Sequence, residues 1–330
     1  MNSPNINYVW AELIIEELLR NGINRFVISP GSRNSPLIVA VAKHAKTKKV
    51  VHVDERSAAF FALGYAKANG KPAVLIATSG TAAANYFPAV CEAGQSGVPM
   101  ILLTADRPVE LRDTGASQTM EQVGLYGNYL RWSFDLPAPS TEVTPRMVLT
   151  TVDQAVYRAV RSPAGPVQIN CQFREPLAPE NSGVDFTEYL RSVASRQQNG
   201  AAFTRYLPST AQLAPQAFAA VSGEIKKSRR GIIVLGPMQT HAALNHILPA
   251  LQQLGMPILI DITSGLRFAP GAQNAVVLYD YFLRAEKFLK KAQPDFILHL
   301  GGMPRSKPLN RFLQNSQSRY VLVNNLPFRQ

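Results

Sequence analysis

In "HVDERSAAFFALGYAKANG", residues 52–70, Glu55 stands where an apolar run (Val50, Val51, Val53) passes into a small-residue segment closed by Asn69-Gly70. Two chemistries are open to a carboxylate there. Negative charge is favoured at a helix N-terminus by its free N–H groups, and Ser57 or Asp54 could cap the same end. Alternatively, the carboxyl is aimed into a cleft as a working acid or base. Three further loops carry polar groups: "SPGSRNSP" (29–36) with Ser32 and Arg33, "TSGTAAAN" (78–85) with Ser79, Gly80 and Thr81, and "ADRPVELRDTGASQ" (105–118) with Arg107 and Gln118. Singly, these read as a capped turn, a tight strand-to-helix entry and a proline break. Each follows an apolar strand, however, and ligands of open α/β sheets bind beyond the carboxyl ends of the strands. Four such loops together favour one site.

The elements that must position these loops alternate in type. Strands are expected at 25–29, 49–53, 72–78, 98–105, 130–136 and 166–171, with helices such as "SPLIVAVAKHAK" and "TPRMVLTTVDQAVYRAV" between them. Continuous apolar strands alternating with helices predict a parallel sheet covered on both faces. The strand before Glu55 reads as buried, which would desolvate its carboxyl. From 179 to 208 the pattern lapses into Pro, Ser, Asn and Gln, as in a linker. "GIIVLGP", "PILIDI", "DFILHLGG" and "RYVLVNN" then mark a second α/β unit. The expected fold is α/β, with two consecutive open parallel-sheet domains at 1–178 and 209–330 joined by 179–208. An ending at "VNNLPFRQ", right after a strand, reads as cut in mid-protein.

Composition narrows the function. A length of 330 residues suits two cores. Hydrophobic content of 46% with no long apolar run gives no membrane span, and the first helix has no basic leader before it. Cys91 and Cys171 are isolated, which fits a reducing cytoplasm and argues against zinc. The net charge of +12 gathers at 46–49, 226–230 and 290–291, read as helix ends complementing the dipole. No nucleic-acid module accompanies it, so anionic metabolites are the expected partners rather than nucleic acid. There is no GxGxxG after a strand, no GxSxG and no metal-ligand spacing among His44, His52, His241, His246 and His299. His299, inside "FILHLGG", reads as a core histidine.

"SPGSRNSPL", "HVDERSAAFFALGYAKANGKPAVLIATSGTAAANYFPAVCEA" and "ILLTADRPVELRDTGASQT" resemble the MenD family, the 2-succinyl-5-enolpyruvyl-6-hydroxy-3-cyclohexene-1-carboxylate synthases of menaquinone biosynthesis. The resemblance continues in "DITSGLR" (261–267) and "GGMPRSKPLNRFL" (301–313). It implies a thiamine-diphosphate (thiamine pyrophosphate) and Mg2+ enzyme, a transferase. Such an enzyme decarboxylates 2-oxoglutarate and adds the succinyl carbanion equivalent to isochorismate. The family's pyrimidine-binding domain supplies one glutamate, matched by Glu55, which hydrogen-bonds the cofactor's aminopyrimidine ring and promotes proton removal from the thiazolium carbon. Ser79, Gly80 and Thr81 match cofactor-binding positions. Ser32, Arg33, Arg107, Gln118 and Lys307 match substrate-binding positions, as suits dicarboxylate substrates. Ser117 stands where some members have asparagine, and Pro308 where some have arginine, with Arg305 a possible substitute.

The resemblance also implies a diphosphate-binding domain that would hold the Mg2+. No Gly-Asp-Gly occurs in this chain, so that domain is expected to be absent and the chain alone inactive, with no metal ligand of its own. Family sites form between subunits, implying a homodimer or dimer of dimers, cytoplasmic and without a membrane span. The rival readings are a thiamine-diphosphate enzyme of acetolactate-synthase or 2-oxoacid-decarboxylase type, and a non-catalytic anion-binding or dimerisation module.

Overall fold

A computed structural model describes residues 3–194, 200–207, 212–238, 241–269, 272 and 275–324. The chain divides into two compact units, Met1–Pro208 and Ser209–Gln330. Each is built on one parallel sheet.

The first unit runs α1 (Ile6–Arg20), β1 (Arg25–Ile28), α2 (Ser35–Lys43), β2 (Lys48–Val51), α3 (Glu55–Asn69), β3 (Ala73–Ala77), α4 (Thr81–Ala84), α5 (Phe87–Ser96), β4 (Met100–Asp106), β5 (Trp132–Leu136), α6 (Pro145–Val160), β6 (Pro166–Gln172) and α7 (Thr187–Leu190). Its strands lie in the order β2-β1-β3-β4-β6-β5. The chain runs from β1 to β2 at one edge, then crosses back to β3. The switch point, where crevices open in such sheets, therefore lies between β1 and β3.

Residues alternate between the two faces along each strand, as the pleat requires. Val74 and Ile76 join α1, α2 and α6 in one core, which holds Trp10, Leu13, Ile14, Leu37 and Leu149. Leu75 and Ala77 join α3 and α5 in the other, against Ala58, Ala59, Ala62 and Ala66. Four alanines at helical spacing give α3 a smooth face, which lets it lie close on the sheet and fixes the height of its first residue, Glu55.

Two expectations are corrected. The strand before Glu55 is not enclosed: β2 is the sheet's edge, and Val51 and Val53 are 63% and 90% exposed. Lys48 and Lys49 are exposed in that edge strand rather than at a helix end, where charge discourages pairing with another chain. Within the stretch expected to link the units, Phe186, Leu190 and Val193 enter the first unit's core. The Tyr189 hydroxyl accepts from Trp10 Nε1 (2.9 Å) and donates to the Val143 carbonyl (2.8 Å).

The second unit runs α8 (Pro215–Lys227), β7 (Gly231–Leu235), α9 (His241–Gln252), β8 (Ile258–Ile260), β9 (Ala275–Val276), α10 (Tyr279–Phe282), α11 (Glu286–Lys291), β10 (Phe296–Leu300), α12 (Lys307–Gln314) and β11 (Arg319–Val323). The order β11-β10-β7-β8-β9 puts its switch point between β7 and β10. Lys226, Lys227, Lys290 and Lys291 do close helices. His299 is buried in the core, with its ring nitrogens on Tyr320 Oη (2.5 Å) and the Gly302 carbonyl (3.1 Å). Burial lowers its pKa. Among the described residues no helix is long and apolar enough to cross a membrane.

Candidate functional site

The loops after β1 and β3 meet at the first unit's switch point. Gly31 is required there by close approach: a Cβ would lie 2.5 Å from Thr78 Cβ. Asn34 ties the β1 loop together, accepting from Gly31 N–H (3.0 Å) and donating to the Ser29 carbonyl (2.9 Å). Beyond β3, Gly80 has φ +82°, and its N–H donates to Gln122 Oε1 (2.8 Å).

The helix-end chemistry next to Glu55 is carried by Asp54. Its carboxylate accepts the Ser57 N–H at 2.7 Å, making it the N-cap of α3 and holding its own pKa below the usual carboxylate range. Glu55, the first helical residue, is half-buried, and its carboxylate makes no hydrogen bond or ion pair among the described residues. Tyr86, fully buried, lies close enough to feel its charge. Burial raises the phenol pKa far above its ordinary value, and the Glu55 charge adds to it.

The hydroxyls of Ser29, Thr78, Ser79 and Tyr86 and the Nε2 of His52 are buried without a hydrogen-bond partner. All five flank the ends of β1, β2 and β3. Unsatisfied buried polar atoms are costly, and such a concentration at a switch point fits a polar ligand that would complete them.

The remaining sequence-predicted residues fall into three places. Gln118, at φ +57°, donates from Nε2 to the Ser79 carbonyl (3.1 Å), joining the β4 loop to the β3 turn. Arg107 donates from Nε and Nη2 to the Ser117 carbonyl (3.3 and 2.9 Å). Ser32 is exposed, and Arg33 is 5% exposed. Arg33 donates from Nη1 to the Phe173 carbonyl (2.8 Å) and pairs with Glu175 (3.0 Å), while its Nε is buried without a partner. Thr81 is exposed at the start of α4. Lys307 belongs to the second unit, exposed at the start of α12, with Ser306 as the N-cap. Nearby, the Asp261 carboxylate accepts from Arg305 N–H (2.7 Å). A 480 Å³ cavity of that unit opens at the opposite ends of its strands, walled by Ile232, Leu259, Val276 and Phe312 with Arg229, Arg230 and Lys291 also lining it. Its walls are mostly apolar, and Lys307 does not line it.

Sequence reasoning missed a polar network under the β4 loop. Asn170 accepts from Thr104 Oγ1 and Gln122 Nε2 (both 2.9 Å) and donates to Asp106 (2.8 Å) and Asp135 (2.9 Å). Arg112 forks onto Asp135 (2.9 and 3.0 Å) and reaches Asp106 (3.1 Å). Burial raises the Asp106 pKa despite these partners. At Asp135 burial also pushes upward, but Arg112, Asn170 and Gln172 outweigh it and the pKa falls. The available signal was "PVQINCQ", in which Gln168, Asn170 and Gln172 alternate through a buried strand, opposite Leu102, Thr104 and Asp106. Among the described residues no group of three or more His, Cys, Asp or Glu could hold a metal ion.

Residues 9–125 match the family model "Thiamine pyrophosphate enzyme, N-terminal TPP binding domain", and residues 187–329 match "Middle domain of thiamine pyrophosphate". Curated 2-succinyl-5-enolpyruvyl-6-hydroxy-3-cyclohexene-1-carboxylate synthases are similar over almost the whole chain. Those of Rubrobacter xylanophilus (42% identical over 99% of this chain and 56% of the relative) and Salinibacter ruber (43%, over 96% and 54%) are examples. The Prosthecochloris aestuarii synthase is 41% identical over all of this chain and 56% of its own length. The chain thus spans about half the length of the curated relatives it matches. With both family models matched in order along two parallel-sheet units, the chain belongs to the 2-succinyl-5-enolpyruvyl-6-hydroxy-3-cyclohexene-1-carboxylate synthase family of thiamine pyrophosphate enzymes, as its N-terminal part.

Proposed function

We propose that the chain supplies the pyrimidine-binding and central domains, 1–178 and 209–330 joined by 179–208, of a synthase of menaquinone biosynthesis that uses thiamine diphosphate and Mg2+. The reaction is decarboxylation of 2-oxoglutarate and addition of the succinyl unit to isochorismate. The observation that carries this reading is the uncommitted carboxylate of Glu55, relieved of capping by Asp54, beside a set of orphaned buried hydroxyls.

Those residues fit the ring end of the cofactor. Glu55 would hold the aminopyrimidine and move a proton at its ring nitrogen, and Ser79, Gly80 and Thr81 would border it. When bound, thiamine diphosphate supplies carbanion stabilisation, while protein groups position and tune it. The Mg2+ donors are proposed to belong to the diphosphate-binding domain of the complete enzyme.

On the substrate side, Arg33 has one exchangeable partner. Glu175 is 68% exposed at its side chain, so an incoming carboxylate can replace it on the guanidinium while the Phe173 carbonyl keeps the fork oriented. Arg107 and Gln118 approach from the β4 loop, with Ser32 at the rim, and Lys307 of the central domain is proposed as a further substrate-binding residue. Exposed Val53, Phe60 and Phe61 flank Glu55 in sequence and suit coverage by a second copy in a cytoplasmic homodimer.

The test assays the complete enzyme with cofactor and Mg2+. Turnover of 2-oxoglutarate only when isochorismate accepts the product unit is expected. Preference for pyruvate would place the chain with acetolactate-synthase-like enzymes instead.

A further inference from the structure

The β4 loop has little apolar burial to hold it. Between Pro108 and Gln122 the side chains are mostly exposed, including Val109 at 63% and Leu111 at 37%. Two of its non-glycine residues, Asp113 and Gln118, nevertheless sit at positive φ, a conformation that persists only where surrounding structure fixes it. What fixes it is polar. Asp106 accepts the Arg107 N–H (2.7 Å), Gln172 Oε1 accepts the Val109 N–H (3.0 Å), and Gln122 closes the far end on the Ala105 carbonyl (3.1 Å).

Arg112 is the piece that joins these anchors. Among the described residues it alone connects the loop's own chain to both Asp106, which is 0% exposed on β4, and Asp135 on β5. We infer that Arg112 is a positioning residue: by bridging Asp106 and Asp135 it sets the loop that presents Arg107 and Gln118 against the Ser79–Gly80 turn. The inference rests on the proposed reading that Arg107 and Gln118 meet the substrates.

Stability alone does not account for this arrangement. Buried ion pairs add little net stability, because desolvation offsets their attraction, and Arg112 Nε is left buried without a partner. A planar guanidinium serves two carboxylates in fixed directions, whereas an ammonium is a point charge that cannot fork.

The experiment compares the complete enzyme with its Arg112→Gln, Arg112→Lys and Asp135→Asn variants. Amide hydrogen exchange across 107–121 should accelerate about tenfold in Arg112→Gln, with α1 and β1 unchanged. KM for the substrates should rise about tenfold from misplaced groups, with cofactor affinity kept and Arg112→Lys only partly restored. Asp135→Asn keeps the shape of the network and should reproduce the effect, so a poorly folding arginine variant does not end the test. Unchanged loop exchange in these variants overturns the role of Arg112 whatever the kinetics. Accelerated exchange with unchanged KM overturns the substrate reading of Arg107 and Gln118.

Discussion

At the scale of single residues, Asp54 and Glu55 divide two tasks that one carboxylate could have combined. Asp54 caps α3 through the Ser57 N–H, and Glu55 makes no such bond. The two are separable by substitution. Asp54→Ala should lower the melting temperature of this chain and leave the chemistry of the complete enzyme intact. Glu55→Gln should fold normally, yet slow exchange of the cofactor's C2 proton by roughly 10²–10⁴, about 3–5 kcal/mol of barrier, since an amide cannot share a proton with the ring. Measuring both properties in both variants checks the division, and normal exchange in Glu55→Gln would reduce Glu55 to the start of a helix. Glu55 was legible because its type is odd for its place between apolar strand and alanine-rich helix. Tyr86 was not, since a tyrosine inside "AANYFPAV" reads as ordinary packing and only the fold brings it near Ser29 and Glu55.

At the scale of elements, long apolar strands were legible and polar pairings between strands were not. Each strand expected in the first unit exists, within a few residues at its ends, because β-branched and leucine runs have few alternatives to a buried parallel sheet. The short β9 and the exposure of β2 depend on position in the sheet, which periodicity along the chain does not encode. The Asp106–Arg112–Asp135 bridge was hidden for the same reason, as it spans three segments and is aligned only by strand register. A comparable device pins the second unit. Asp295, just before β10, accepts from the Arg229 and Arg230 N–H groups (2.8 and 3.1 Å) and from Ser228 Oγ (2.8 Å), holding the entry to β7. The Arg229 backbone bond first, then Ser228 and Arg230, lower its pKa from 3.8 to about 2. A depressed folded-state pKa stabilises above the unfolded value, and that stability is lost as pH falls through the folded one. The melting-temperature advantage of wild type over Asp295→Asn should therefore hold at neutral pH and fade between pH 3.8 and about 2. A difference independent of pH in that window would remove the carboxylate's charge from the explanation.

At the scale of the whole molecule, the two units differ in the groups they offer a ligand. The first offers a carboxylate, orphaned hydroxyls and a clamped polar loop at its switch point, all suited to a heteroaromatic ring. Neither unit shows, among the described residues, a cluster able to hold a metal ion, and Mg2+ recruits carboxylate and phosphate oxygens together. We propose that the diphosphate end of thiamine diphosphate is held outside these two units; the matched relatives are about twice as long as this chain. Ring contacts alone must then meet the entropic cost of fixing the cofactor, several kcal/mol before any net affinity is seen. Residues 1–330 by themselves should bind thiamine diphosphate with Mg2+ no tighter than about millimolar, a few kcal/mol short of a micromolar complex. They should also release no CO2 from 2-oxoglutarate. Titration calorimetry on the purified chain measures the first and a coupled CO2 assay the second. Micromolar binding would show that the two units already contain the diphosphate site, and would move the Mg2+ donors back into this chain.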